Sequence, residues 1–449
     1  MHTDLTEGSI TKHVRQLAIP AAIGFFFHTM FNVTDTYFAG KVSTDALAAL
    51  SLTFPIFFMI ISIGAGMSEA VTTLIGNALG SKDHAKAKQV VWHAFILGGI
   101  LSITLTLIGI QIAPFLMQDL GATGNYLKVS LDYILTLLWA SLFFIFSYFI
   151  NAMLSAIGDL KSFRNILIFA FFVNIFLDFW FVYGGLGLSP LGVKGIAIAT
   201  VITEAIGMFY LAYKLKISPL LKDMPSFQYD NSIIVDLIKQ GIPPTVNLLL
   251  MAGGVFIITY FAAQYGKDVI AGMGIGMRVE QIALMPALGI SMSVLSVVSQ
   301  NNGALAFERI DETLKVAVKD AFVLSLVGMV LLGFEAHFFV SLFTSDASVI
   351  KEGVIYTQIA ALALFGYVLI FTYLSLLQGI KRPAMLLYIS ITRQIVLPLI
   401  VFTVLAYYTF AVESIWWSLT AIVWASALFV IWYGHRSLRD IKRVSQKTK

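Results

Sequence analysis

Residues 16–40 read QLAIPAAIGFFFHTMFNVTDTYFAG. About 20 predominantly apolar residues are what a helix needs to cross a hydrocarbon core roughly 30 Å thick. The stretch therefore reads as a membrane span, and Asp35 puts a carboxylate where hydrocarbon should be. Pro20, near its start, deletes one backbone hydrogen bond and permits a kink, so it is a candidate hinge as well as a candidate static bend.

Runs of the same kind recur to the end of the 449 residues. The chain is 58% hydrophobic and 12% charged, against roughly 25% charged in soluble domains. The expected fold class is an all-α integral membrane protein of twelve transmembrane helices in two six-helix lobes. The spans fall near 16–40, 47–79, 91–117, 130–157, 163–184, 193–215, 239–265, 269–302, 316–344, 353–379, 384–409 and 413–434. Residues 1–215 would form the first lobe, 216–238 a cytoplasmic linker containing Pro219 and Pro225, and 239–449 the second lobe with a basic tail.

Basic residues orient the spans. With both termini on one side, that side gathers Lys12 and Arg15, Lys82 to Lys88, Lys161 and Arg164, Lys214 to Lys239, Arg309 to Lys319, Lys381 and Arg382, and the tail. The other side has only Lys41, Lys128, Lys194, Lys267 and Lys351. The termini are therefore expected in the cytoplasm, and the chain in the cell (inner) membrane. The polar segment Met1 to Thr11 does not read as a removable signal peptide.

The two lobes read as a parallel repeat, with halves inserted the same way round. Ile19-Pro20 recurs as Ile242-Pro243, and Thr36-Tyr37-Phe38-Ala39 recurs as Thr259-Tyr260-Phe261-Ala262 at the same interval. At that shift Asp35 corresponds to Ile258, so building a six-helix lobe does not require the acid.

A second acid stands in span five. Asn174 and Asp178 are one helical turn apart and share a helix face. At about 1.5 Å per residue, Asp35, Asn174, Asp178, Thr200 and Tyr133 lie at similar depth in the outer half. Asn151 lies near the inner end of span four and ranks lower. Acids at membrane depth are costly and mark ion or substrate paths. Two such carboxylates favour binding a proton, and Asn, Thr and Tyr can satisfy either protonation state. The same oxygens suit Na+, a hard cation, so the residues leave the ion open.

In order and spacing these residues resemble the MATE family (multidrug and toxic compound extrusion), specifically its DinF-like branch. The resemblance is carried by Phe31-Asn32-x-x-Asp35, Gly158-Asp159-x-Lys161, Asn174-x-x-x-Asp178, Gly192-Val193-Lys194-Gly195 running to Thr200, Pro286-Ala287-Leu288-Gly289-Ile290 and Gln300-Asn301-Asn302-Gly303-Ala304. It implies twelve helices in two lobes, a central cavity, and export driven by H+ or Na+. It also implies a coupling site in the first lobe at Asp35, Asn174, Asp178, Thr200 and Tyr133. The other main branch carries acids in spans seven and ten, where this chain has none.

Glu69, Glu204, Arg278, Glu280, Arg393 and Glu413 also fall in or near spans and read first as lobe-stabilising pairs or snorkelling ends. His28 reads as a packed histidine before it reads as part of a proton path. The 15 Met and 36 Phe would suit an adaptable cavity for apolar cations, though most belong to core or lipid faces. There is no Cys, no Walker A motif, no H-E-x-x-H and no G-x-S-x-G. Thiolate metal sites, ATP-driven pumping and a hydrolase are accordingly disfavoured.

The expected activity is secondary export of amphipathic or cationic small molecules by H+-coupled antiport, with Na+ coupling or a lipid-linked-precursor flippase as alternatives. The expected partners are those substrates and the bilayer, with no nucleic acid, no metal and no cofactor beyond the coupling ion.

Overall fold

The computed structural model describes residues 4–185, 187–408 and 410–448, with side chains to residue 446. The described residues are almost wholly helical, and their only β pairing is an isolated bridge between Gly185 and Leu188. The helices are α1 (Ile10–Val42), α2 (Thr44–Gly80), α3 (His84–Asp119), α4 (Gly124–Trp139), α5 (Ser141–Ala156), α6 (Lys161–Tyr183), α7 (Val193–Lys216) and α8 (Asn231–Ala262). After them come α9 (Lys267–Gly303), α10 (Phe307–Phe334), α11 (Ala336–Ser341), α12 (Ala347–Ala361), α13 (Leu364–Gly379), α14 (Ala384–Ile391), α15 (Leu397–Tyr407) and α16 (Glu413–Thr448). A π turn at Thr392–Val396 joins α14 to α15.

Among the described residues ten helical segments are long and apolar enough to cross a membrane, and two bent pairs bring the total to twelve. The pairs are α4 with α5, bent by 46°, and α12 with α13, bent by 48°. They are the fourth and tenth expected spans. The repeat is visible in the helix boundaries. The starts of α9, α10, α12 and α14 follow those of α2, α3, α4 and α6 by the interval that separates Pro243 from Pro20.

The chain divides into two compact units, one chiefly Ile23–Thr245, the other Leu5–Ala22 with Val246–Lys449. The division runs through α1 and α8 a short way past the aligned prolines Pro20 and Pro243, not through the polar linker. Each unit thus holds the body of one repeat together with the opening turns of the other repeat's first helix.

Close packing explains two of the glycines. A Cβ on Gly66 would collide with the backbone of Thr245 in the first unit, and one on Gly289 with the carbonyl of Ala18 in the second. Gly66 and Gly289 are equivalent positions of the repeat, so both halves use a bare backbone to admit the crossing helix.

Polar segments at the ends of the spans are tied down. In the second unit Arg309 donates to the carbonyls of Leu5, Glu7 and Gly8 at 2.9–3.2 Å and to Asn301 Oδ1 at 2.9 Å. Gln300 accepts from the Leu5 amide, and Asn301 donates to the Leu5 carbonyl. The Gln300-Asn301 motif is therefore a clasp for the N-terminal segment. In the first unit Lys88, Gln89 and Trp92 of α3 donate to the linker carbonyls of Lys222, Asp223, Ser226 and Pro225. The Asp230 carboxyl accepts from the Ser232 amide at the start of α8, and Ser232 holds its pKa below the ordinary carboxylate value.

The core of the first unit runs between α2, α3, α5 and α7, through Val71, Ile75, Val91, Phe149, Met153 and Leu211. On α6, Phe169, Phe172, Phe176 and Phe179 are 53–61% exposed at helical spacing, an apolar stripe suited to lipid.

Candidate ion-coupling site

The α6–α7 hairpin is drawn tight at Gly195, where an added Cβ would sit 2.9 Å from the backbone of Phe181. That approach sets Asp178, one turn before Phe181, across from Thr200. Asp159 steadies the start of α6 by accepting from the Ser162 amide at 3.0 Å and the Ser162 hydroxyl at 2.6 Å. The Gly158-Asp159 motif thus positions the helix that carries Asn174 and Asp178.

The five residues singled out in the sequence are buried together in the first unit. Asn174 and Asp178 have no exposure, and Thr200, Asp35 and Tyr133 are all below a tenth exposed. Thr200 Oγ1 donates to Asp35 Oδ2 at 3.1 Å and also lies 3.0 Å from the carbonyl of Ile196. Asp178, Asn174 and Tyr133 lie near Asp35, but no hydrogen bond joins Asp35 to Asp178 or Asn174.

Neither carboxyl oxygen of Asp178, nor Oδ1 of Asp35, receives a hydrogen bond from a protein donor. Among the described residues no ion pair neutralises either acid. Buried carboxylates without donors or cations are costly as anions, and a proton shared between them supplies the missing donor. The threonine adds a readout. Its hydroxyl has one hydrogen, so it can donate to Asp35 or to Ile196, not to both at once. An ionised Asp35 claims that hydrogen. A protonated Asp35 can donate to Thr200 and free its hydrogen for Ile196.

Beside this pair, toward the starts of α1 and α6, lies a cavity of ≈ 90 Å³ lined by residues of α1, α2, α5, α6 and α7. Thr200 and Asn32 belong to its wall, so it adjoins the acid pair. Asn151, ranked low by depth, lines it too, and its Oδ1 accepts no hydrogen bond. His28, half-buried, lines it as well. Phe residues form much of the wall and no Met does.

Glu204, read in the sequence as a stabilising pair or snorkelling end, faces this cavity and has no ion-pair partner among the described residues. Its signal was legible: it lies one helical turn after Thr200, on the same helix face.

The second unit keeps part of this pattern without the acids. Tyr356, Gln394 and Thr420 stand at or just short of one repeat interval after Tyr133, Asn174 and Thr200, while Ile258 and Pro398 stand where the aspartates would be. Its buried acid comes from α9 instead. Glu280 accepts from Tyr356 Oη at 2.9 Å. Arg393, on the π turn, stacks over the Tyr367 ring at 5.7 Å with Nε unpartnered. The lobe-stabilising ion pairs expected for Glu280 and Arg393 are not formed among the described residues. No cluster of three or more His, Cys, Asp or Glu able to hold a metal is found there either.

A family model described as MatE matches residues 20–180 and again residues 243–404. The chain belongs to the MatE family. The second matched segment begins at Pro243, the repeat equivalent of Pro20, where the first begins. The chain is similar to the multidrug export protein MepA of Staphylococcus haemolyticus, 27% identical over 93% of this chain and 90% of that one. It is also similar to an FAD transporter of Shewanella oneidensis, 26% identical over 88% of each. Its fold matches that of a multidrug resistance MATE family transporter of the MOP superfamily solved in an outward-facing conformation. There the TM-score is 0.91 at 24% identity, over 98% of both chains. As a MatE protein the chain is a multi-pass membrane transporter of small molecules and not an enzyme.

Proposed function

We propose that this MatE protein is an H+-coupled antiporter that exports amphipathic, often cationic compounds, with its coupling site at Asp35, Asn174, Asp178, Thr200 and Tyr133 as in the DinF-like branch. The observation that carries the reading is the meeting of two buried carboxyl groups, Asp35 and Asp178, without enough donors or any cation to satisfy them. Protons would enter the pair when the pathway faces acid and leave when it faces the cytoplasm, with substrate moving the other way. Pro20 serves as the hinge of α1 in this scheme. The termini lie in the cytoplasm and the protein in the cell membrane, by the distribution of basic residues.

Na+ is the alternative coupling ion, because the same oxygens suit a hard cation. A flippase for lipid-linked precursors, or carriage of an anion such as the FAD of the Shewanella relative, is less well supported, because the wall of the first-unit cavity holds no Lys or Arg.

The test is export of a fluorescent lipophilic cation from liposomes, driven by a pH gradient alone or a Na+ gradient alone. Export under the pH gradient that is lost in Asp35→Asn and in Asp178→Asn is the expected result. Export under Na+ alone would change the ion. Undiminished export by both variants would refute the site.

A further inference from the structure

We propose that Arg393 receives the acid group of a transported compound: its guanidinium, buried in the second unit without a partner, takes a carboxylate or phosphate. The inference rests neither on proton coupling nor on the first-unit cavity. It extends the cargo to compounds that carry an acid, zwitterions included.

Four observations converge on it. Arg393 is only 9% exposed, yet it makes no hydrogen bond and no ion pair among the described residues, and its Nε is sealed from solvent. A guanidinium has five donors and no acceptor, and a buried charge left unpaired is costly, so the missing partner is an anion. The polar groups around it in sequence are already engaged. Ser390 donates to Asn247 Oδ1 of α8 at 2.6 Å, and Gln394 donates to the same oxygen at 3.3 Å. Glu280, the buried acid of this unit, is bonded by Tyr356 instead.

The backbone and the repeat single out the same residue. Arg393 sits on the π turn Thr392–Val396, and single π turns inside α-helices are frequent at functional sites. One repeat interval earlier stands Ala170, and the register that aligns Gln394 with Asn174 puts Val173 there. Either way the first unit is apolar at this point, so building a lobe does not require the cation.

Geometry selects the ligand. The half-buried ring of Tyr367 lies 5.7 Å from the guanidinium and supports it from one side. The N–H fork remains for a bidentate contact, which arginine makes with carboxylate and phosphate. Arg393 is also far from either end of the 24-residue span Ala384–Tyr407, about 14 Å along the helix from Ala384. Lipid headgroups stay at the membrane surface, so an acid at this depth belongs to a solute in transit.

The test uses the full-length protein in detergent and two probes of matched shape, benzoate and the neutral benzamide. Benzoate should bind the parent by calorimetry and raise its melting temperature, and benzamide should do neither. Inorganic phosphate should compete with benzoate. Arg393→Gln should weaken benzoate about tenfold or more, and Arg393→Lys, which keeps the charge without the fork, should lose less. Arg393→Met replaces an unpaired charge by an apolar chain. Without ligand it should melt at or above the parent's temperature, and benzoate should no longer shift it.

Equal binding of benzoate and benzamide by the parent, or no response to benzoate, would overturn the proposal. So would a folded Arg393→Gln that binds benzoate normally. An Arg393→Met that melts below the parent or fails to fold would show that the guanidinium serves the fold, and displacement of benzoate by phosphatidylglycerol but not by phosphate would assign the site to lipid. Failure of a pH gradient to drive cation export would sink the coupling reading and leave these results standing.

Discussion

Thr200 and Asp35, separated by 165 residues in sequence, are joined by a 3.1 Å hydrogen bond in the interior of the first unit. The Thr200 hydrogen is contested by the Ile196 carbonyl, and the remaining oxygens of the aspartate pair have no protein donor. Thr200→Val keeps the shape and removes the donor. A hydrogen bond to a charged group contributes about 1.5–3 kcal/mol, so ion-driven export should fall by roughly tenfold or more. Thr200→Ser should restore it. The check is initial export rate in liposomes, with the amount of inserted protein held constant.

The glycines at the helix crossings should tolerate no side chain. Gly66→Ala and Gly289→Ala each push a methyl into backbone, Thr245 in one unit and Ala18 in the other. Overpacking of this kind costs about 1–3 kcal/mol. Both variants should lose thermal stability in detergent, whereas Gly40→Ala, where the added Cβ meets nothing within 4 Å, should behave as the parent.

The N-terminal clasp depends on one guanidinium. Arg309→Ala removes the donors to Leu5, Glu7 and Gly8 at once. Hydrogen exchange in residues 5–9 should rise sharply, and Arg309→Lys should not rescue it, because a single ammonium cannot span three carbonyls and Asn301 in the fork geometry of arginine. Lysine-like protection would show that the clasp is carried by Gln300 and Asn301 instead.

In the second unit the buried pair Glu280 and Tyr356 gives a double-mutant test. Tyr356→Phe strips the hydroxyl that donates to Glu280 and should destabilise by about 1–3 kcal/mol. Glu280→Met in that background should recover most of the loss, because replacing both partners by apolar groups leaves nothing unsatisfied. Thermal melts of the parent and the three variants measure the coupling. Additive losses would mean that Tyr356 does not serve Glu280.

The spans, the repeat and the polar quintet of the first unit were legible in the sequence, because hydrocarbon permits so few charges that each one stands out. Asp35 and Asp178 were visible for that reason, and Asn174 and Thr200 followed from helix period and depth. The cavity was not legible. Asn151 was ranked low because it lies deeper than the acid pair, and it does line the cavity rather than the pair itself. Glu204 and Glu280 were read as stabilising pairs or snorkelling ends; the helix face that Glu204 shares with Thr200 pointed to the site, whereas nothing in the pattern around Glu280 distinguishes a carboxylate facing a tyrosine from one facing an arginine. The exchange of helix ends between units was hidden for a different reason. Which body a helix packs against is decided by residues such as Gly66 and Gly289 on other helices, remote in sequence.

That exchange bears on how such a protein can be taken apart. Leu5–Ala22 completes the second unit and the opening turns of α8 complete the first. Cleavage in the linker would therefore yield two fragments, each missing a helix segment that its own body needs and carrying one that it does not. Neither fragment is a minimal transporter half. The two should survive only when made together, trading ends as swapped protomers do, and an ancestral single repeat that worked as a pair would have had to make the same trade before its copies were fused.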